Sequence, residues 1–149
     1  MPQKNSNQIA KGQDLDLPQV SEIIIYQSED GQTRINVMFE DESVWLTQAQ
    51  LVSLYQSSKA NVSEHIKNIF EEGELDEKSV VRFFRTTAAD GKSYNTKYYN
   101  LDMIISLGYR IKSLVATRFR RWATEQIKEY LKKGFLLDDQ RLKELGGGD

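Results

Sequence analysis

The chain has 149 residues, of which 39% are hydrophobic and 28% charged, with a net charge of −2; that is enough apolar sequence for one domain whose core needs no staple. Cysteine is absent and His65 is the single histidine, which removes disulfides, thiolate catalysis, cysteine-held zinc or iron–sulfur centres and any multi-histidine metal cage, so no metal or cofactor is expected. No apolar run approaches the roughly 18 residues of a membrane span, and the opening from Met1 to Gln8 lacks the apolar stretch of a secretory leader, so a cytoplasmic protein is expected.

The small net charge conceals a division. Residues 1–75 hold 5 Lys/Arg against 12 Asp/Glu, and residues 76–149 hold 15 against 10. Between Lys78 and Lys133 the count is 13 against 4. Such asymmetry gives one part of the surface an attraction for phosphate and another a repulsion, unless the two halves neutralise each other across their interface.

In chain order, residues 1–20 are polar and aperiodic and read as a disordered arm. Ile23-Ile24-Ile25-Tyr26 and the alternating Ile35, Val37, Phe39 flank Glu29-Asp30-Gly31-Gln32, the pattern of two strands joined by an Asp-Gly turn. Ser43 to Leu46 is a third short strand after the acidic bend Glu40-Asp41-Glu42, completing a small antiparallel β-meander. Thr47-Gln48-Ala49-Gln50 fits a capping box and starts a short helix. Gln56-Ser57-Ser58 breaks it and offers a new N-cap. A second helix then runs from Lys59, with Val62, Ile66, Ile69 and Phe70 on one face, and stops at Gly73. Val80 to Thr87 and Ser93 to Tyr99, around Ala89-Asp90-Gly91-Lys92, form a β-hairpin. Asn100 caps a helix interrupted near Gly108. From about Ser113 a longer helix carries Phe119, Trp122, Ala123, Ile127 and Tyr130 on one face and ends at Gly134, before the apolar Phe135-Leu136-Leu137.

The short helix, tight turn and longer helix from Leu46 to Ile69 have the spacing of a helix-turn-helix. Ala49 and Leu54 would sit where the helices cross, and Val62 and Ile66 would plug the second helix onto the first, leaving its N-terminal residues free to enter a major groove. There Lys59 suits guanine or phosphate, Asn61 and Asn68 suit adenine, Ser63 is permissive, and Glu64 can accept from a cytosine amine. Lys67 adds a phosphate contact. The hairpin follows as a wing, with Arg82, Arg85, Lys92 and Lys97 placed for the flanking backbone. Arg118 and Arg121 are a lesser cationic pair. Glu64, Glu71 and Glu72 oppose a phosphate partner. His65 lies at the edge of the apolar face and reads as a packed imidazole. No nucleophile elbow, P-loop or dinucleotide fingerprint is present, so a non-enzymatic protein is expected.

Several stretches resemble the N-terminal half of the RhuM virulence-protein family of bacteria and their mobile elements. They are Ile25-Tyr26-Gln27, Val44 to Gln50, His65 to Leu75, Thr87 to Lys92, Tyr99 to Asp102, Gly108-Tyr109-Arg110 and Phe119 to Thr124, and the similarity runs from Glu22 to about Lys143. The helix with Phe119 and Trp122 after a hairpin also looks like the Bro-N and KilA-N type of phage DNA-binding domain. The RhuM resemblance implies no reaction or ligand; the Bro-N likeness implies DNA binding.

The sequence therefore predicts an α+β fold: a β-meander, a helix-turn-helix with a hairpin wing, and a C-terminal helical pair. Residues 21–137 would form this domain, between the 1–20 arm and a polar 138–149 tail. DNA is the expected partner, with a homodimer through the C-terminal helix and Phe135 to Leu137. The alternative is a protein-interaction module, adaptor or antitoxin-like, that binds no nucleic acid.

Overall fold

The computed structural model describes the backbone of residues 22–146 and the side chains of residues 22–133. Strands β1 (Glu22–Gln27), β2 (Arg34–Glu40) and β3 (Ser43–Leu46) form the meander, followed by helices α1 (Gln48–Tyr55), α2 (Lys59–Glu71) and α3 (Glu77–Val80). Strands β4 (Val81–Thr87) and β5 (Ser93–Asn100) and helices α4 (Leu101–Ile111) and α5 (Val115–Gly146) complete the chain. The fold is α+β, as its sequence predicts.

Local chemistry sets the helix starts. Thr47 Oγ1 accepts from the Gln50 amide while Gln50 Oε1 accepts from the Thr47 amide, so two otherwise orphaned donors are satisfied together. Ser58 Oγ accepts from the Asn61 amide and Asn100 Oδ1 from that of Met103, which caps α2 and α4 in the same way. Gln56, the C-cap of α1, and Lys112, the C-cap of α4, take left-handed backbone angles and end their helices sharply.

The meander and the hairpin are one sheet rather than two units. Its order is β1-β2-β3-β5-β4, and every pairing is antiparallel. The join between the halves is small: Trp45 faces Asn100 and Leu46 faces Tyr99. Residues alternate between the two faces. Tyr26, Ile35, Val37, Phe39, Val44, Leu46 and Tyr99 point to the helices and are buried with Leu51, Leu54, Val62, Ile69, Met103, Ile104, Leu107 and Phe119.

The C-terminal helices use this core in different ways. α4 runs uninterrupted through the buried Gly108, and Tyr55 Oη donates to the Ile104 carbonyl in a buried bond. Burial pushes the Tyr55 phenol up, so it stays protonated as that donor. α5 lays Phe119 and Trp122 against Tyr26 of β1, at 5.1 and 5.2 Å between ring centres, and Tyr130 against Phe39 of β2 at 4.8 Å. It packs on the sheet as well as on α4.

Three sequence expectations are corrected, the first being the interruption near Gly108, since α4 continues through that residue to Ile111. α5 does not stop at Gly134 but continues to Gly146; a lone glycine costs only about 1 kcal/mol in a helix, and the following Leu136, Leu137, Gln140, Arg141, Leu142, Lys143 and Glu144 are good helix formers. Ala49 is exposed and is not where α1 meets α2, whereas Leu54, Val62 and Ile66 are buried there. The 1–20 arm, the side chains of Phe135 to Leu137 and those of the 138–149 tail lie outside the described residues. No helix of the described residues is long and apolar enough to cross a membrane.

Candidate nucleic-acid interface

The geometry follows from the shortness of β3. It has only 4 residues, so beyond Leu46 the start of β2 and most of β5 have no strand between them. α1 packs over that gap and touches both strands. Gln50 Nε2 donates to the Asn36 carbonyl of β2 at 2.7 Å, and Gln56 Nε2 donates to Thr33 Oγ1 at 3.0 Å. These bonds align the C-terminal end of α1 with the start of β2.

Because β2 and β5 both run antiparallel to β3, their N-terminal ends point the same way, past the end of β3. The hairpin tip therefore projects from the same end of the sheet as Thr33, Gln56 and the start of α2. Ser93 to Tyr98 extend beyond the join with β3, about 20 Å at roughly 3.3 Å per residue. Ala88 and Lys92 close the tip backbone-to-backbone, and Asp90 accepts from the Lys92 amide and the Tyr94 hydroxyl. Gly91 supplies a φ of +85° that a side chain would resist.

On α2, the side chains of Lys59, Asn61, Ser63, Glu64 and Lys67 are exposed and that of Asn68 is half-buried. Lys59 and Lys67 make no ion pair among the described residues. The Asn61 amide nitrogen donates to Ser57 Oγ at 2.7 Å, so that side chain serves the turn before it serves any ligand. His65 is half-buried, and its Nδ1 is a buried atom without a hydrogen-bond partner.

The four hairpin cations do not form one set. Arg82 shares a sheet face with Tyr98, Thr96 and Trp45, whereas Arg85, opposite Asn95, and Lys97, opposite Phe83, lie on the other face. Arg82 is committed to the fold: Nη2 is 3.1 Å from Asp41 Oδ2, and its guanidinium carbon lies 4.6 Å from the Trp45 ring centre. Lys97 Nζ is 3.6 Å from Glu77. Lys92, at the tip, is exposed and makes no ion pair among the described residues. Arg118 pairs with Glu29 at 3.5 Å. The structure thus brings Lys59, Ser63, Lys67 and Lys92 forward as accessible groups, leaves Arg85 exposed on the hairpin, and draws Arg82 and Lys97 into internal contacts. Sequence spacing could not reveal that difference, because Asp41 and Trp45 are about forty residues from Arg82.

A clamp that the sequence does not announce fixes the far end of α2. Arg110 on α4 donates to Glu72 Oε1 at 2.5 Å and to Glu74 Oε1 at 2.8 Å. The Arg110 hydrogen bond and charge hold the Glu72 carboxyl below the usual carboxylate range. Two acidic groups that would repel a polynucleotide are thereby partly neutralised. Among the described residues no three His, Asp or Glu side chains gather as a metal site.

Residues 79–149 match the family model of the Virulence protein RhuM family. That match takes in the hairpin, α4 and α5 and begins after α1 and α2, so it is narrower than the similarity read from the sequence. No curated protein and no solved structure matches the chain. The hairpin and the C-terminal helices are thus the part of this chain that is similar to the Virulence protein RhuM family.

Proposed function

We propose that this domain is a non-enzymatic, double-stranded DNA-binding module and acts as a regulator, with α2 as the groove-entering helix and the β4–β5 hairpin as its wing. One observation supports this reading: the start of α2 and the hairpin tip project from the same end of the sheet, and Lys59 and Lys67 on the one and Lys92 on the other make no ion pair among the described residues. Lys59 and Lys67 reach bases or phosphates, Ser63, Glu64 and Asn68 address base edges, and Arg85 and Lys92 meet the backbone. Asn61 does so only by giving up its bond to Ser57. Arg82 and Lys97 support the hairpin instead.

Four backbone contacts give a log–log salt slope of about −3 to −4, at roughly −0.9 per phosphate. Titration of a random 20-base-pair duplex (about two helical turns) against the chain at several salt concentrations measures it. Absence of binding at protein concentrations of about 100 μM in low salt would refute the reading, since non-specific DNA affinities fall at or below that range. A dimer through the C-terminal helix and Phe135 to Leu137 would raise a weak single-module affinity.

A second reading is favoured by the sheet face away from the helices. Ile23 is 57% and Ile25 46% exposed there, both on the edge strand β1. Apolar exposure of that kind suits a protein partner, as in an adaptor or antitoxin-like module. Such a module would show almost no duplex affinity at any salt.

A further inference from the structure

Two hollows flank α1 and share Ala49 as the ridge between them. One is lined by Arg34, Asn36, Ala49 and Ser53 with Ile35 and Gln50; the other by Gln48, Ala49, Val52 and Lys59. Among the described residues no carboxylate lines either, although the chain holds 22 Asp/Glu. Arg34 and Lys59 are exposed, stand on opposite sides of the ridge and make no ion pair among the described residues. The Gln50 side chain is spent on the Thr47 amide and the Asn36 carbonyl, but those of Gln48 and Ser53 are left as hydrogen-bonding groups. The ridge itself is a methyl group, so a bulky chain can approach the helix closely.

We infer that this surface seats one sugar-phosphate strand of a DNA duplex, with Arg34 and Lys59 each holding a phosphate on either side of Ala49. Cations at the flanks, neutral amides and a hydroxyl between them, and no acid are the chemistry by which proteins hold a nucleic-acid backbone without reading its sequence. The seat rests on the DNA-binding reading above and extends it from α2 and the hairpin to the β2 side of α1. Arg34 belongs to the acid-rich half of the chain, which is why charge counting along the sequence passes over it.

The test compares Arg34→Ala, Lys59→Ala and Ala49→Glu with the unaltered chain in duplex titrations across salt. Each alanine variant is expected to weaken binding to all sequences alike and to reduce the salt slope by about 0.9. Ala49→Glu places a negative charge on the ridge and is expected to weaken binding severalfold. It lies in the first turn of α1, where a carboxylate favours the helix, so its melting temperature should not fall. Unchanged affinity and slope in Arg34→Ala, with a loss in Lys59→Ala, would overturn the seat while leaving α2 as the DNA-binding helix. No duplex binding by the unaltered chain would overturn both.

Discussion

Gly108 sits in the middle of α4, yet its role is steric. A Cβ built there would collide with the Ala116 methyl and stand 2.7 Å from Tyr55 Oη, at the crossing where α4 meets both α1 and α5. Gly108→Ala is therefore expected to destabilise the fold by about 1–2 kcal/mol, the overpacking outweighing the roughly 1 kcal/mol that alanine gains over glycine within a helix. Thermal or urea unfolding checks this, and a variant as stable as the parent would show that the crossing yields. Arg110 makes a prediction with a pH signature. Because its hydrogen bond lowers the Glu72 carboxyl, the clamp stabilises the fold above the ordinary carboxylate range and loses its effect as pH falls through the lowered value. Arg110→Ala should be less stable than the parent at about pH 7, and the gap should close towards about pH 3. A gap independent of pH would assign Arg110 a packing role instead.

Among the elements, those governed by neighbours in sequence were readable and those governed by distant partners were not. Thr47, Ser58 and Asn100 announce their helices because a cap is complete within four residues. The Asp-Gly turns and the alternation of Ile35, Val37 and Phe39 announce β2 and the hairpin for the same reason. The merging of meander and hairpin depends on Trp45 meeting Asn100 and Leu46 meeting Tyr99, a pairing over more than fifty residues that no local pattern encodes. The fate of Arg82 follows from it, since only the joined sheet brings Asp41 and Trp45 within reach. Arg82→Ala should accordingly lower the melting temperature while leaving the salt slope of duplex binding unchanged. Lys92→Ala should do the reverse. If Arg82→Ala reduced the slope without affecting stability, the guanidinium would be a phosphate contact despite its internal partners.

The assembled domain resolves the charge asymmetry seen along the chain. The basic second half does not face the acidic first half as a block. It is tied to it at a few points, Arg82 to Asp41, Arg110 to Glu72 and Arg118 to Glu29, and these pairs hold the hairpin base, α4 and α5 to the rest. Being exposed or partly exposed, they add little to stability singly, but they decide which cations remain for a partner. What remains includes Lys59, Lys67 and Lys92 near α2 and the tip, together with Arg34 beside α1. Phe119, fully buried and packed against the Tyr26 ring of β1, carries the packing on which this arrangement depends. Phe119→Ala should cost about 3–5 kcal/mol, measured by denaturant unfolding, and should abolish any partner binding that needs the intact sheet. A loss below about 1 kcal/mol would mean that α5 is not anchored there.

The early end of β3 has a consequence for how such a chain can change in length over generations. The vacancy beside β2 is one helix wide, so two residues inserted after Leu46 would evict α1 and misdirect everything that follows it. The same two residues added between Ala89 and Gly91 would merely lengthen an overhang. Natural drift in size should thus be confined to the ribbon's free end, and an engineer wishing to append a tag or a reporter loop should choose that spot.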